Sequence, residues 1–203
     1  MVNDFKYKMD IFRYAVDNDL FFGKVFTQLF LKARKLVFQK GEEVKFNHKD
    51  TAFLVFLHEG AVLGTLYYKG KVLYKAIKTR QYIFVHGPWK KSPYDIDQAR
   101  WIVTNKAEIT AIPMEVLFKD LAAQPGSSLT LEKHIEDMTR MDFQDYHQIS
   151  GFTSIDDKID FLIATYPGWI RNTHKYLADY LSVSQNGLSN ALKKWDINHF
   201  GML

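Results

Sequence analysis

The spacing of apolar residues is typical of β-strands between residues 34 and 113. Residues 35–46 carry alternating apolar side chains on both sides of Gly41, which predicts a strand, a turn and a second strand. Residues 53–57 and 62–66 alternate in the same way. This part of the chain is therefore predicted to form a β-structure.

Turn residues divide that region into short strands. Turns are predicted at residues 59–60 and 69–70, and strand signals return at 81–85 and 101–104. Two prolines and two lysines make the stretch 86–98 a loop. Strands that recur about every ten residues are typical of a β-sandwich or a β-barrel.

Helical spacing is found on both sides of the strands. Residues 1–31 carry mixed helical signals. Pro113 can open a helix, and apolar residues share one face from there to Leu121. Thr153 or Ser154 is predicted to cap a further helix, which has acidic residues in its first turn.

A longer helix is predicted between these two. Ser127 or Ser128 can cap its start and Gly151 ends it, while Asp142 and Asp145 interrupt its apolar stripe. The residues of that stripe are Leu131, Ile135, Met138, Met141 and Ile149. Because a stripe of this kind must be covered, the helix is expected to pack against another element or another chain.

The end of the chain carries the most informative pattern. Residues 174–181 and 185–195 are predicted as two short helices joined by the turn 182–184, which matches helix-turn-helix geometry. The second helix turns polar side chains outward, namely Gln185, Asn186, Ser189, Asn190 and Lys193. Amides can read adenine edges, and lysine can contact phosphate or guanine. The plainer alternative is a helical hairpin with a solvated polar face.

Composition excludes several classes of protein. The 203 residues are 47% hydrophobic and 25% charged, as in an ordinary globular protein. With no cysteine, the chain cannot form disulfides or hold an iron–sulfur cluster through thiolates. The formal charge is +4, but five basic and five acidic residues follow position 150, so the positive surplus lies outside the C-terminal segment.

Three stretches resemble one known family. They are Lys-Gly-Glu-Glu-Val at 40–44, Leu-His-Glu-Gly-Ala-Val at 57–62 and the run from Lys175 to Ser184. In this order, from about Arg34 to Trp195, the chain resembles the Crp/Fnr family, that of the cyclic-AMP receptor protein and the fumarate-nitrate reduction regulator.

The resemblance implies an α+β protein of three parts. Residues 1–126 would form a double-stranded β-helix (jelly-roll) sensor domain, 127–150 a long dimerisation helix and 151–203 a helix-turn-helix DNA-binding domain. The protein would be a cytoplasmic, homodimeric transcription regulator of bacterial type that recognises an inverted repeat in double-stranded DNA. RNA polymerase is a candidate further partner, and the sequence identifies no effector.

The resemblance also assigns roles to single residues. The base-reading positions fall on Gln185, Asn186 and Asn190, and the phosphate contacts fall on Thr173 and Ser184. The apolar stripe of the long helix would pair with its twin across a two-fold axis. No catalytic residue, cofactor or metal is expected.

The chain departs from the family in two places. The nucleotide-binding turn is replaced by residues 82–89, where no acid follows Gly87 and Pro88 removes an amide donor. Arg100 is followed by Trp101 rather than by serine or threonine, so cyclic AMP is not expected to bind in the usual way. Only eight residues follow Trp195, too few for a β-hairpin wing, so either the protein has no wing or the sequence is cut short.

Other functions remain as alternatives. The missing wing and the neutral end favour a sensor or interaction module with a degenerate DNA-binding end. A β-barrel with histidines raises a cupin-type metal enzyme, but its His-x-His pair followed by glutamate is absent. His48, His58 and His86 are read as loop or strand-end histidines rather than haem ligands. The aromatic residues of the strands either enclose an effector or, as we expect, fill the interior themselves.

Overall fold

The computed structural model divides into two compact units, Met1–Asp142 (unit 1) and Phe143–Leu203 (unit 2). It describes residues 2–20, 33–46, 51–88, 96–122, 126–166 and 174–200. Thr173, predicted to contact phosphate, lies outside the described residues.

Unit 1 is built on one antiparallel sheet. Its strands are β1 (Arg34–Phe38), β2 (Phe53–Tyr68), β3 (Lys71–Thr79), β4 (Tyr82–His86) and β5 (Gln98–Pro113). The order is β1-β5-β2-β3, and β4 pairs with the first part of β2. The predicted turn at 69–70 is confirmed, because Lys69 and Gly70 both have positive φ and join β2 to β3.

The predicted turn at residues 59–60 is wrong. Strand β2 continues through this point and only shifts its register against β5. Gly60 has a φ of +95°, and a Cβ there would lie 2.1 Å from the carbonyl oxygen of Lys106. The glycine therefore serves a β-bulge, where two backbones come too close for a side chain, and not a hairpin.

The second strand predicted in the stretch 35–46 is also wrong. Gly41 turns the chain with a φ of +88°, but Glu43 forms only an isolated bridge to Ile102. The Val44 amide still donates to the Trp101 carbonyl at 2.9 Å. This segment therefore follows β5 through a few backbone hydrogen bonds without joining the sheet as a strand.

Among the described residues of unit 1, three helices cover the core. They are α1 (Val2–Asp17), α2 (Met114–Leu121) and the first part of α3 (Ser127–Gly151). Their inward side chains form one apolar cluster with those of β2, β4 and β5: Ile11, Ala15, Leu54, Phe56, Ile83, Leu117, Leu121, Leu131 and Ile135. The helix predicted after Pro113 is confirmed, and its burial of Leu117 and Leu121 explains the spacing seen in the sequence.

The described part of unit 2 contains the end of α3 and three further helices. They are α4 (Ile155–Thr165), α5 (His174–Leu181) and α6 (Gln185–Phe200). The Ser154 side chain accepts a hydrogen bond from the Asp156 amide at 3.1 Å, which confirms the predicted cap. Helix α6 ends at Phe200, five residues beyond the predicted end.

Candidate functional site

A three-residue turn joins α5 to α6 and fixes where α6 begins. Ser182 adopts a φ of +54°, a conformation that commonly ends helices. The Val183 amide donates to the Ala178 carbonyl at 3.0 Å, which closes α5. The Ser184 hydroxyl accepts from the Gly187 amide at 3.0 Å and so caps α6.

A buried lysine on α4 supports this turn. Lys158 on α4 is 8% exposed, and its Nζ donates to the Leu181 carbonyl at 2.9 Å. That carbonyl belongs to the last residue of α5, where backbone acceptors lack partners within the helix. The ammonium satisfies this acceptor and opposes the negative end of the helix dipole.

The helices of unit 2 bury their apolar faces and leave one side of α6 polar. Leu177, Ala178 and Tyr180 of α5 are buried, as is Leu188 of α6. On the C-terminal part of α6, the Trp195 indole donates to Asp160 of α4 at 3.1 Å. These contacts fix which face of α6 points outward.

The outward face contains most of the predicted DNA-contacting residues. Gln185, Asn186, Asn190 and Lys193 are exposed, and so is Ser184. Ser189 is half-buried, with its hydroxyl 3.3 Å from His174 Nδ1. Three amides and one ammonium therefore lie on the accessible side of one helix, where they can form hydrogen bonds with another molecule.

The predicted dimer residues of α3 differ in how far they are exposed to solvent. Leu131 and Ile135 are 1% exposed in the core of unit 1, and Ile149 is 1% exposed in unit 2. Because the chain's own side chains cover them, these three are core residues with no area to offer a partner. Met138 is half-buried, and Met141 is 61% exposed.

A surface groove of about 510 Å³ runs between α1, the β3–β4 turn and α3. We call it the α1–α3 groove. Its lining includes two positive residues, Arg13 and Arg80, and two negative residues, Asp17 and Asp137. Met141 also borders it. A groove with balanced opposite charges can match a copy of itself.

The floor of this groove is a hydrogen-bonded group. The Tyr14 hydroxyl lies 2.8 Å from His134 Nε2 and donates to the Met138 sulfur at 3.3 Å. Burial raises the pKa of Tyr14. Burial lowers the pKa of His134, so this imidazole is neutral at pH 7. The group therefore contributes no net charge to the groove.

The space between the sheet and α3 is almost filled. The remaining cavity, here called the inner chamber, measures about 30 Å³. Its walls include Tyr74, Phe84 and Trp101 from the sheet and Ile135, Met138, Thr139 and Asp142 from α3. Sites for small-molecule ligands usually measure roughly 300–1,000 Å³, so the described walls leave no space of nucleotide size.

One charged contact borders the inner chamber, and a second lies on the surface of the sheet. Lys78 on β3 is 4% exposed, and its Nζ lies 2.7 Å from the Asp142 carboxylate on α3. Sequence reasoning missed Lys78, although the break in the apolar stripe at Asp142 was a signal of a polar partner. Arg100 is 53% exposed and pairs with Glu43 at 3.2 Å.

Acidification is expected to destabilise unit 1. Burial lowers the pKa of both His86 and His134 below the unfolded value of about 6.5. Below that pH the unfolded chain binds protons that the folded protein resists, so stability falls as the pH decreases. Thermal unfolding should show a lower midpoint at pH 5.5 than at pH 7.5.

The double variant His86→Gln/His134→Gln should reduce this pH dependence. His147→Gln is the control, because His147 is exposed on the same helix as His134. An unchanged difference between the two midpoints in the double variant would show that other groups cause the effect.

The antiparallel sheet, followed by the long α3 and a small helical unit, is a Crp/Fnr-like fold, and the α+β prediction is confirmed. FixK2 from Bradyrhizobium japonicum superposes with a TM-score of 0.62 at 12% identity, over 83% of this chain and 86% of its own. A putative transcriptional regulator of the Crp/Fnr family from Eubacterium rectale gives 0.62 at 13% identity, over 89% and 88%.

A third structure covers more of the chain. The cyclic nucleotide-binding domain containing protein from Listeria monocytogenes gives a TM-score of 0.59 at 17% identity, over 95% of this chain and 92% of its own. No protein-family model and no curated protein matches the sequence. At identities this low, the structural similarity establishes the fold alone.

Two features are absent from the described residues. Among them, no helix is both long and apolar enough to cross a membrane. The same part of the chain holds no group of three or more His, Cys, Asp or Glu side chains placed to bind a metal ion.

Proposed function

We propose that the protein is a homodimeric, sequence-specific DNA-binding transcription regulator of the Crp/Fnr type that does not depend on cyclic AMP. The observation that carries this proposal is the exposed polar face of α6, which begins directly after a capped three-residue turn. Together α5, the turn and α6 would form the helix-turn-helix, with α6 as the recognition helix.

The side chains of that face suit the major groove of DNA. Gln185, Asn186 and Asn190 each carry an amide, which can donate to and accept from one adenine edge. Lys193 would contact phosphate, as would Ser184 through its hydroxyl. Base readers near the start of α6 and a cation further along it match the way in which a recognition helix enters the groove.

Dimerisation is proposed through a second copy of the chain on the α1–α3 groove. In a two-fold dimer the same surface meets itself, so Arg13 and Arg80 of one copy could pair with the acidic residues of the other. Met141, 61% exposed, would supply the apolar contact. Recognition of an inverted repeat by such a dimer would need two recognition helices in successive major grooves about 34 Å apart.

A second candidate function rests on the net charge of the C-terminal segment. Five basic and five acidic residues follow position 150, whereas DNA-binding surfaces are usually strongly positive. This balance favours a sensor or interaction module whose DNA-binding end is degenerate. The two candidates differ in one outcome: the module would bind no DNA sequence in preference to bulk DNA.

The variants Asn190→Ala and Lys193→Ala test the assignment of α6. With DNA selected by the wild-type protein, Asn190→Ala should lose about 1–3 kcal/mol of discrimination at one base pair. Lys193→Ala should weaken binding to all sequences and lower the slope of log affinity against log salt by about one. Fluorescence anisotropy at several salt concentrations measures both effects.

Lys194→Ala is the matched control. Lys194 is adjacent in sequence but pairs with Asp156 on α4 at 3.3 Å, so its loss should leave the affinity for selected DNA nearly unchanged. If Asn190→Ala and Lys193→Ala reduce binding equally on every sequence, α6 does not read bases. Failure of the wild-type protein to bind any DNA would favour the interaction module.

A further inference from the structure

We propose that Trp101 acts as a ligand carried by the chain itself: its indole forms a wall of the inner chamber and holds the adjoining face of α3 in place. The inference rests on the proposed function, because it assigns a regulatory role to the chamber of a DNA-binding protein. The site would accept a planar bicyclic aromatic molecule with one N–H donor once the tryptophan side chain is removed.

Each side of the indole has a specific partner. Trp101 is 2% exposed, and its Nε1 donates to the Val85 carbonyl at 3.0 Å. Its ring lies 4.2 Å from the Phe84 ring, measured between centroids. One hydrogen bond and one ring contact are what a bound aromatic heterocycle would make with a protein site.

The neighbouring strand, β2, leaves space for the indole ring. Gly64 on β2 is the register partner of Trp101, and a Cβ at Gly64 would lie 2.4 Å from Cζ3 of the indole. The φ of Gly64 is not in the positive region, so backbone conformation does not require a glycine there. Glycine at this position is needed to make space for the indole.

The inner chamber is also bounded by the long helix. Ile135, Met138, Thr139 and Asp142 of α3 line the same cavity as Trp101. Asp142 is the residue that Lys78 of β3 holds at 2.7 Å. Loss of the indole would therefore open a void beside the apolar contacts and the ion pair that attach α3 to the sheet.

The test is the variant Trp101→Gly in the full chain, with indole added back. Calorimetry should show that the variant binds indole and the wild-type protein does not. The variant's α3 amides at 131–142 should exchange with solvent at least tenfold faster than in the wild type and recover when indole is added. Its affinity for selected DNA should fall at least tenfold and return to within threefold of the wild type with indole.

Two controls separate this effect from general destabilisation. Benzofuran has the size of indole but no N–H donor, so it should restore exchange and DNA binding less well, since the Val85 carbonyl would lack a donor. Phe56→Ala removes a buried aromatic ring that does not line the chamber. It should lower the unfolding midpoint without any response to indole.

A second variant does not depend on the folding of Trp101→Gly. Gly64→Ala should displace the indole, lower the unfolding midpoint and weaken DNA binding in the wild-type background. In a Trp101→Gly background the same substitution should have little further effect. If Gly64→Ala leaves the midpoint and the DNA affinity unchanged, the indole does not occupy a closely fitted site and the proposal is wrong.

The readouts also separate this inference from the proposed function. If the wild-type protein binds no DNA, the proposed function fails, while indole binding and hydrogen exchange along α3 still decide the role of Trp101. If Trp101→Gly folds but binds no indole, or binds it without slowing exchange in α3, the self-ligand proposal is overturned even where DNA binding is normal.

Discussion

Lys78→Met is expected to lower the free energy of unfolding by about 3 kcal/mol, because breaking a buried ion pair on one side commonly costs roughly 3–5 kcal/mol. Lys78 is 4% and Asp142 12% exposed, and their 2.7 Å contact joins β3 to α3. Methionine keeps most of the side-chain volume, so the loss reports the missing charge. Urea unfolding followed by circular dichroism measures it.

The double variant Lys78→Met/Asp142→Leu should recover most of that loss. Replacing both partners removes the desolvated carboxylate together with the ammonium, and such replacements are often neutral. Lys45→Met is the control, since Lys45 is exposed and pairs with Glu43 at 3.4 Å across the surface. Exposed ion pairs contribute little to the free energy of unfolding. Equal losses of that free energy for Lys45→Met and Lys78→Met would therefore show that burial of the Lys78–Asp142 pair does not determine the effect.

Lys158→Met should loosen the connection between α5 and α6, with a loss of about 2 kcal/mol. A hydrogen bond from a charged donor contributes roughly 1.5–3 kcal/mol, and the Lys158 ammonium donates to the last carbonyl of α5 at 2.9 Å. Hydrogen exchange in α5 and at the start of α6 should become faster. Affinity for selected DNA should fall as well, because the start of α6 would be less well fixed.

Lys194→Met is the comparison for Lys158→Met. Lys194 lies in the same unit, but its side chain is 67% exposed, so its loss should leave exchange in α5 unchanged. A similar increase in exchange for both variants would mean that the carbonyl of Leu181 does not depend on the buried ammonium.

Local sequence signals predicted the elements of this fold well. Proline and glycine mark the start of α2 and the end of α3, and Ser154 caps α4 as its position suggested. The two helices at the C-terminal end followed from apolar spacing around a short polar turn. Such features depend on neighbours in sequence, and for that reason a single sequence shows them.

Contacts between distant residues could not be predicted in the same way. The stripe containing Leu131 and Ile135 indicated a buried face of α3 but not that the chain's own sheet would bury it. The glycine at position 60 suggested a turn, whereas the close approach of β5 makes it a bulge.

The residues that sequence reasoning missed are buried and have long-range partners. Trp101 was noted as part of a strand and as a departure from the family's usual pair, but the sequence did not show that it lines the inner chamber and packs against Gly64. Lys78 and Lys158 resemble ordinary surface lysines in the sequence, yet the structure buries both. Their roles depend on Asp142 and on the Leu181 carbonyl, 64 and 23 residues away.

Selection of bound sequences from a random pool of double-stranded DNA tests the central claim most directly. A homodimer with α6 as recognition helix should enrich an inverted repeat whose half-sites lie about one helical turn apart, roughly 34 Å. Asn190→Ala should relax the selected sequence at one position in each half-site. Enrichment of no sequence over the starting pool, or of a single site without two-fold symmetry, would contradict the account.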